Sequence, residues 1–338
     1  MSRTSSGERS RPAISRSPVA VARRRHIWTI AKIGVTVLIF AYIAHSGDFS
    51  GAWQRVSDQN LLLVAFAAFV FLLQVVIGAA RWLIILNALG ARLPAWETLK
   101  LFYVSVFFNS YVPGGVGGDV VRAWLCSRGG LPAKAAITSV IIDRVAALTG
   151  VAILVLLTAP ILLARTGTSV TMLLPVVVSI AGLIGILVAV QFERLPPSLL
   201  RFPPVRLLHE FSGSLKLAFL RPSTTAPLIA VSVLGQIALG VATYAMALSL
   251  RMNVSLLECV VLMQPVALVA NLPISVGGWG VRESAMILLF GLVGMPASAS
   301  LALSVQLGLL LLAVALPGGL IWLAMKPQAS PPVSDTLS

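Results

Sequence analysis

Charge is scarce in this sequence. Only 11% of its 338 residues are charged, where soluble domains carry about a quarter, and the mean hydropathy is +0.95. A soluble globular protein is excluded. Acidic residues are especially few, 11 against 25 Lys and Arg. Both cysteines, Cys126 and Cys259, lie in or beside apolar segments without C-x-x-C spacing or neighbouring histidines. That rules out a disulfide framework and a zinc site. His26, His45 and His209 are scattered and form no metal constellation. No G-x-S-x-G, H-E-x-x-H or Walker string occurs, so hydrolase, zinc-protease and NTPase chemistry lack their usual motifs. Neither a cofactor nor a metal is expected.

What is present is long apolar sequence. A crossing needs about 20 apolar residues, and stretches at about 61–86, 133–158, 173–192, 226–249 and 299–325 qualify. Ile27–Ala44 is a further candidate, read as a retained signal anchor because its basic lead is long and no A-x-A site follows. Three pieces, 101–112, 256–272 and 281–294, are short for a crossing. The expectation is an all-α polytopic membrane protein with about six full crossings plus two re-entrant broken-helix hairpins, six to eight transmembrane helices in all. A disordered basic tail (1–26), a membrane domain (27–326) and a disordered C-terminal tail (327–338) complete the layout.

The net charge of +14 would suggest nucleic acid in a soluble protein, but here it reports orientation. With the N-terminus inside, one side holds seven cations in 1–25, five from Arg92 to Lys134, five from Arg194 to Arg221, and Lys326. The other side holds Arg55, Arg165, Arg251 and Arg282. This asymmetry places both termini in the cytoplasm, with membrane lipids rather than nucleic acid as partners. Residues 194–222 read as a cytoplasmic loop, either lying against anionic headgroups or solvated with its charges setting topology.

Two glycine-rich strings interrupt the apolar pattern. Pro113-Gly114-Gly115-Val116-Gly117-Gly118-Asp119-Val120-Val121-Arg122 resembles, 160 residues later, Pro273-Ile274-Ser275-Val276-Gly277-Gly278-Trp279-Gly280-Val281-Arg282. After a further four-residue shift, Gly130-Leu131-Pro132-Ala133 matches Gly294-Met295-Pro296-Ala297. An internal repeat with motifs at 109–134 and 271–299 follows. Three spans separate the strings, an odd number, so the repeat is inverted. Gly/Pro-interrupted segments in corresponding positions point to a transporter's substrate site; the alternative is that the glycines only let helices approach closely.

Charges within the membrane are the remaining signal. Asp143 and Arg144 lie ten to eleven residues into their helix, about 15 Å deep. Ionisable groups there are costly unless paired or hydrated, and are functional candidates. Neighbours in sequence do not face each other on a helix, so each needs its own partner. Asp119 and Arg122, spaced i,i+3, and Arg282-Glu283 open the two short helices. One Arg is expected to pair with Asp143 or Asp119 and another to stay free for a phosphate-like anion, assisted by backbone amides of the glycine turns. The alternative is an internal salt bridge that fixes packing. Candidate substrate-binding residues are Asn109, Gly114, Gly117, Gly118, Asp119, Arg122, Asp143, Arg144, Asn271, Ser275, Gly277, Gly278, Arg282 and Glu283. Asn109, Gln264 and Asn271 suit helix capping as well, and Arg81 suits snorkelling to the interface.

The string Phe108–Arg122, the Asp143-Arg144 pair and the string Asn271–Glu283 resemble the lysylphosphatidylglycerol synthase transmembrane region, also called the flippase-like or UPF0104 family, over about residues 30–325. Family members often have Glu before the midmembrane Arg, where Asp143 stands here. The domain occurs alone, fused to an aminoacyl-phosphatidylglycerol synthase, or beside glycosyltransferases, and some stand-alone members are associated with hopanoid synthesis. The resemblance implies a bacterial inner-membrane lipid translocator, or an accessory to a lipid-modifying or glycosyltransferase enzyme, in phospholipid, hopanoid or polyprenyl-glycan metabolism. Only twelve residues follow Lys326, so lysyl transfer by a soluble synthase domain is not expected. A membrane-embedded transferase with Asp119 or Glu283 as base and a non-transporting scaffold stay open as alternatives.

Overall fold

The computed structural model describes residues 59–112, 116–166, 170–194, 201, 203–270 and 279–325. Within them the fold is all-α. In chain order the helices are α1 (Leu61–Ala88), α2 (Ala95–Tyr111), α3 (Gly117–Arg128), α4 (Ala133–Thr166), α5 (Val170–Gln191), α6 (Pro203–Phe219), α7 (Pro222–Ser249), α8 (Leu256–Ala270), α9 (Val281–Gly291) and α10 (Ala297–Ala324). Five of them, α1, α4, α5, α7 and α10, are long and apolar enough to cross a membrane. These are the five long spans expected from hydropathy. The Ile27–Ala44 candidate and both proposed tails lie outside the described residues.

The short helices α2 and α3, like α8 and α9, form two successive pairs, each followed by a long helix. At 1.5 Å per residue the 17-residue α2 is about 25 Å long and the 12-residue α3 about 18 Å, less than the hydrocarbon thickness. Such interrupted helices need protein or water over their freed backbone groups. Protein supplies part of that cover here. α2 packs on α1 and α10, and α3 packs on α4.

The packing repeats itself under exchange of the halves. Pairing α1 with α7, α2 with α8, α3 with α9 and α4 with α10 maps the neighbour pairs onto one another: α1·α2 becomes α7·α8, α3·α4 becomes α9·α10, and α2·α10 becomes α8·α4. The helices α1 and α7 pack directly against each other. Gln74 Nε2 donates to the Gly235 carbonyl at 3.0 Å, and Asn60 N to the Ser249 carbonyl at 3.4 Å. The start of one helix therefore meets the end of the other, so they run antiparallel. Corresponding helices related that way have their pseudo-twofold axis across the helices, the geometry of an inverted repeat.

α5 and α6 stand outside that scheme. Residues 194–222, expected as a loop, contain the helix α6. Its Ser212, Leu215 and Ala218 are buried, recurring at i, i+3 and i+6, so one stripe is covered by protein. Leu215 and Ala218 pack in a cluster with Ile85, Ile142, Ala146, Val190 and Leu228. Burial of a helical stripe, more than any local propensity, holds a segment of this polarity in a helix. Lys134 at the start of α4 donates to Glu210 of α6, and Lys216 lies 2.7 Å from Glu193, just after α5. These contacts place α6 at the end of the bundle where α4 begins and α5 finishes.

Candidate functional site

Two polar clusters sit among the apolar helices. The first joins α1, α3 and α4. Asp143 Oδ1 accepts from Arg81 Nε at 2.7 Å, and its Oδ2 accepts from both Nη1 and Nη2 of Arg122 at 3.1 Å. Arg122 Nη2 also donates to Asp119 Oδ1 at 3.3 Å, and Arg144 Nε donates to Asp119 Oδ2 at 2.6 Å. The result is a continuous chain, Arg81–Asp143–Arg122–Asp119–Arg144, with three cations and two carboxylates.

Helix geometry explains the alternation. Successive residues point about 100° apart, so Asp143 turns toward α1 and α3 while Arg144 turns toward Asp119. Each finds a separate partner, as expected from sequence. Other expectations need correction. Arg81 does not snorkel: it is drawn inward to Asp143, its side chain 11% exposed. Nor is any arginine of the cluster spare, because all three are engaged by carboxylates.

The environment grades from dry to open. Arg122 is 1% exposed, its guanidinium lying 4.5 Å from the Trp82 ring centre and 5.1 Å from that of Phe102, where cation–π attraction replaces part of the lost hydration. Trp82 is itself fully buried, with Nε1 donating to Ser139 Oγ at 3.2 Å. The Arg144 side chain, in contrast, is 39% exposed. A buried ion pair broken on one side leaves an uncompensated charge costing about 3–5 kcal/mol, so Asp143, which serves two arginines, is the keystone.

Glycine makes the approach of α3 possible. A Cβ at Gly118 would lie 1.8 Å from the Ser105 carbonyl oxygen of α2, a backbone atom that cannot move aside. The Gly118 N–H is bonded to Asn109 Oδ1 at 2.9 Å. Asn109 therefore caps the start of α3, the role sequence offered beside substrate binding. Asp119 follows in the first helical turn, where the helix dipole favours a carboxylate.

The second cluster joins α9 and α10. Arg282 Nη2 donates to Glu283 Oε1 at 2.7 Å and its Nε to Ser304 Oγ at 3.1 Å, while Ser304 Oγ donates to the same Glu283 oxygen at 3.0 Å. Glu283 Oε2 accepts the Gly280 N–H, and Glu283 is fully buried. The Arg282 guanidinium is 4.9 Å from the Trp279 ring centre. A Cβ at Gly308 would lie 2.3 Å from Arg282 Nη2 and 2.8 Å from the Trp279 ring, so this glycine makes room for the arginine.

Of the residues expected from sequence, Asn109, Gly117, Gly118, Asp119, Arg122, Asp143 and Arg144 come together in the first half, and Arg282 with Glu283 in the second. Gly114, Asn271, Ser275, Gly277 and Gly278 lie outside the described residues. Arg81, Trp82, Ser304, Trp279 and Gly308 were not among the expected site residues. For Arg81 a signal existed, a cation inside an apolar span; for Ser304 and Gly308 there was none beyond the repeat itself. Gln264 donates to the Val260 carbonyl at 2.9 Å within its own helix. Among the described residues no group of three or more His, Cys, Asp or Glu could hold a metal ion.

Long apolar helices, antiparallel equivalent halves and a buried charge cluster in the bundle define a polytopic helical membrane protein of inverted-repeat type. Within that class, the model of the lysylphosphatidylglycerol synthase TM region matches residues 29–319. The chain belongs to this family. It is also similar to two UPF0104 membrane proteins: one from Archaeoglobus fulgidus, 30% identical over 122 residues covering 35% of each chain, and one from Methanothermobacter thermautotrophicus, 28% identical over 127 residues covering 36% of this chain and 34% of the relative. The aligned stretch thus spans about a third of either relative.

Proposed function

We propose that the protein translocates, or carries within the membrane, a lipid with a polar or anionic headgroup. The observation that carries this reading is the first cluster: a charge chain anchored in the dry interior at Asp143 and Arg122 and ending at Arg144, 39% exposed. An anionic oxygen replacing Asp119 on Arg144 leaves Asp119 still held by Arg122. Exchange of one acceptor for another conserves the charge-assisted bond. A guanidinium suits this task because its planar fork offers two parallel donors. The acyl tails stay in lipid, and the second half supplies the counterpart site from the opposite face through Arg282.

The carboxylates support a holding role over a chemical one. Both oxygens of Asp119, Asp143 and Glu283 accept hydrogen bonds, mainly from arginines. A general base must direct a lone pair at a substrate proton, whereas each of these oxygens already accepts from an arginine, a serine or a backbone N–H, which favours holding over proton transfer. The operating site we propose is the bacterial cytoplasmic membrane with both termini inside, with a lipid-modifying or glycosyltransferase enzyme as partner.

Leaflet-selective labelling of fluorescent phospholipid in reconstituted vesicles tests the function. Wild-type protein should move label between leaflets, and the Arg144→Ala, Arg282→Ala double variant should slow that movement at least tenfold. Equal rates in the two proteins, both folded by melting temperature, would overturn the proposal.

A further inference from the structure

The α6 end of the bundle carries a surface that the translocation site does not use. Between residues 193 and 222 the sequence holds five cations and two carboxylates. All five, Arg194, Arg201, Arg206, Lys216 and Arg221, are exposed, as is Lys134 beside them, while Glu193 and Glu210 are half-buried. Glu210 is shared by Lys134 and, at 3.5 Å, by Arg206, and Glu193 by Lys216. Two carboxylates therefore neutralise two charges, and four remain in excess.

The opposite end differs. There the α7–α8 connection holds Arg251 and the first turn of α8 holds Glu258, one charge of each sign.

The position of α6 completes the argument. It packs at the ends of α4 and α5, where the long apolar helices finish and charged residues begin. Its inner stripe is covered by protein, and its outer side presents Arg206 with Leu217, 38% exposed, followed by Leu220, 51% exposed, just past the helix end. Cations interleaved with leucines at this level match an anionic headgroup with acyl chains beside it. We infer that α6, with Lys134, Arg194 and Arg221 beside it, forms a docking site for anionic phospholipids of the surrounding bilayer, separate from the central charge clusters. The occupant is a lipid and not a soluble anion because the apolar residues sit beside the cations.

Retention of dioleoyl-phosphatidylglycerol against dioleoyl-phosphatidylcholine by the full-length protein, read by native mass spectrometry, tests the inference. The Arg144→Ala, Arg282→Ala variant is used as background, so lipid held by the central clusters does not contribute. Phosphatidylglycerol should bind in preference to phosphatidylcholine, and adding Arg206→Gln and Arg221→Gln should weaken it about fivefold per cation removed. Raising salt to about 0.5 M on the background protein, where the screening length falls to about 4 Å, should reproduce the loss without any α6 substitution. Equal retention of the two lipids, or phosphatidylglycerol binding indifferent to both the substitutions and salt, would overturn it. Loss of labelled-lipid movement with α6 binding intact would instead count only on the central site.

Discussion

The two halves of this protein share a backbone plan but solve the problem of a buried arginine differently. In the first half Arg122 reaches across to α4, where Asp143 receives it, and two further arginines join. Under the repeat's own register, Asp143 and Arg144 correspond to Leu307 and Gly308 on α10. The second half has no acid there. Arg282 takes its carboxylate from the next residue, Glu283, reaches α10 through Ser304, and fills the space left by Gly308. The difference teaches that the repeat preserves the need for an arginine at the glycine turn more strictly than the way it is neutralised. It also leaves the first cluster with one net positive charge and the second with none.

The largest expected effect separates the halves directly. Asp143→Ala leaves Arg81 and Arg122 without their shared carboxylate in a dry site and should cost about 3–5 kcal/mol, read as loss of folded protein on detergent gel filtration and a lower Tm. Glu283→Gln should cost less, about 1–3 kcal/mol, because the amide oxygen still accepts and Arg282 is 12% exposed. Equal losses for the two variants would break the comparison.

Close packing gives the next contrast. Gly118→Ala places a methyl against a backbone carbonyl and should cost about 1–3 kcal/mol. Gly308→Ala meets instead the end of a flexible arginine and an indole edge. It should displace Arg282 and alter lipid movement with a smaller change in Tm. Asn109→Ala removes the cap on Gly118 and should cost about 1 kcal/mol, measured by thermal unfolding.

The smallest effect lies at the bundle end. The Lys134 hydrogen bond holds the Glu210 carboxyl below its usual range, with the Lys134 and Arg206 charges adding to it. A lowered folded pKa stabilises above the unfolded value, and the contribution is lost as pH falls through the folded one. Hydrogen-exchange protection of α6, after correction for the intrinsic pH dependence of amide exchange, should therefore fall as the pH drops below the usual glutamate range, and Glu210→Gln should flatten that dependence.

Much of the architecture was legible beforehand because a membrane leaves few options. Apolar runs long enough to cross must be helices, and the five described spans fall where hydropathy put them. The repeat was legible from two glycine strings, and its inversion from an odd number of crossings. Helical geometry even told that Asp143 and Arg144 would find different partners. The 194–222 segment was less legible. Its charge density hides a stripe that among the described residues comprises Ser212, Leu215 and Ala218, and a stripe has meaning only once something covers it.

By itself, then, the sequence determined the solvent, the class of fold, the inverted repeat and the handful of charges worth watching, because hydrophobicity and helical period are local properties. Only the tertiary structure decided which charge meets which. Arg81 looked like an interfacial snorkel, and became a partner of Asp143 because α1 and α4 bring residues 62 positions apart to 2.7 Å. Ser304 and Gly308 carried no signal of their own and acquired one when α10 came to lie beside Arg282. Ion pairing depends on distances across helices, and those distances exist only after the helices have packed.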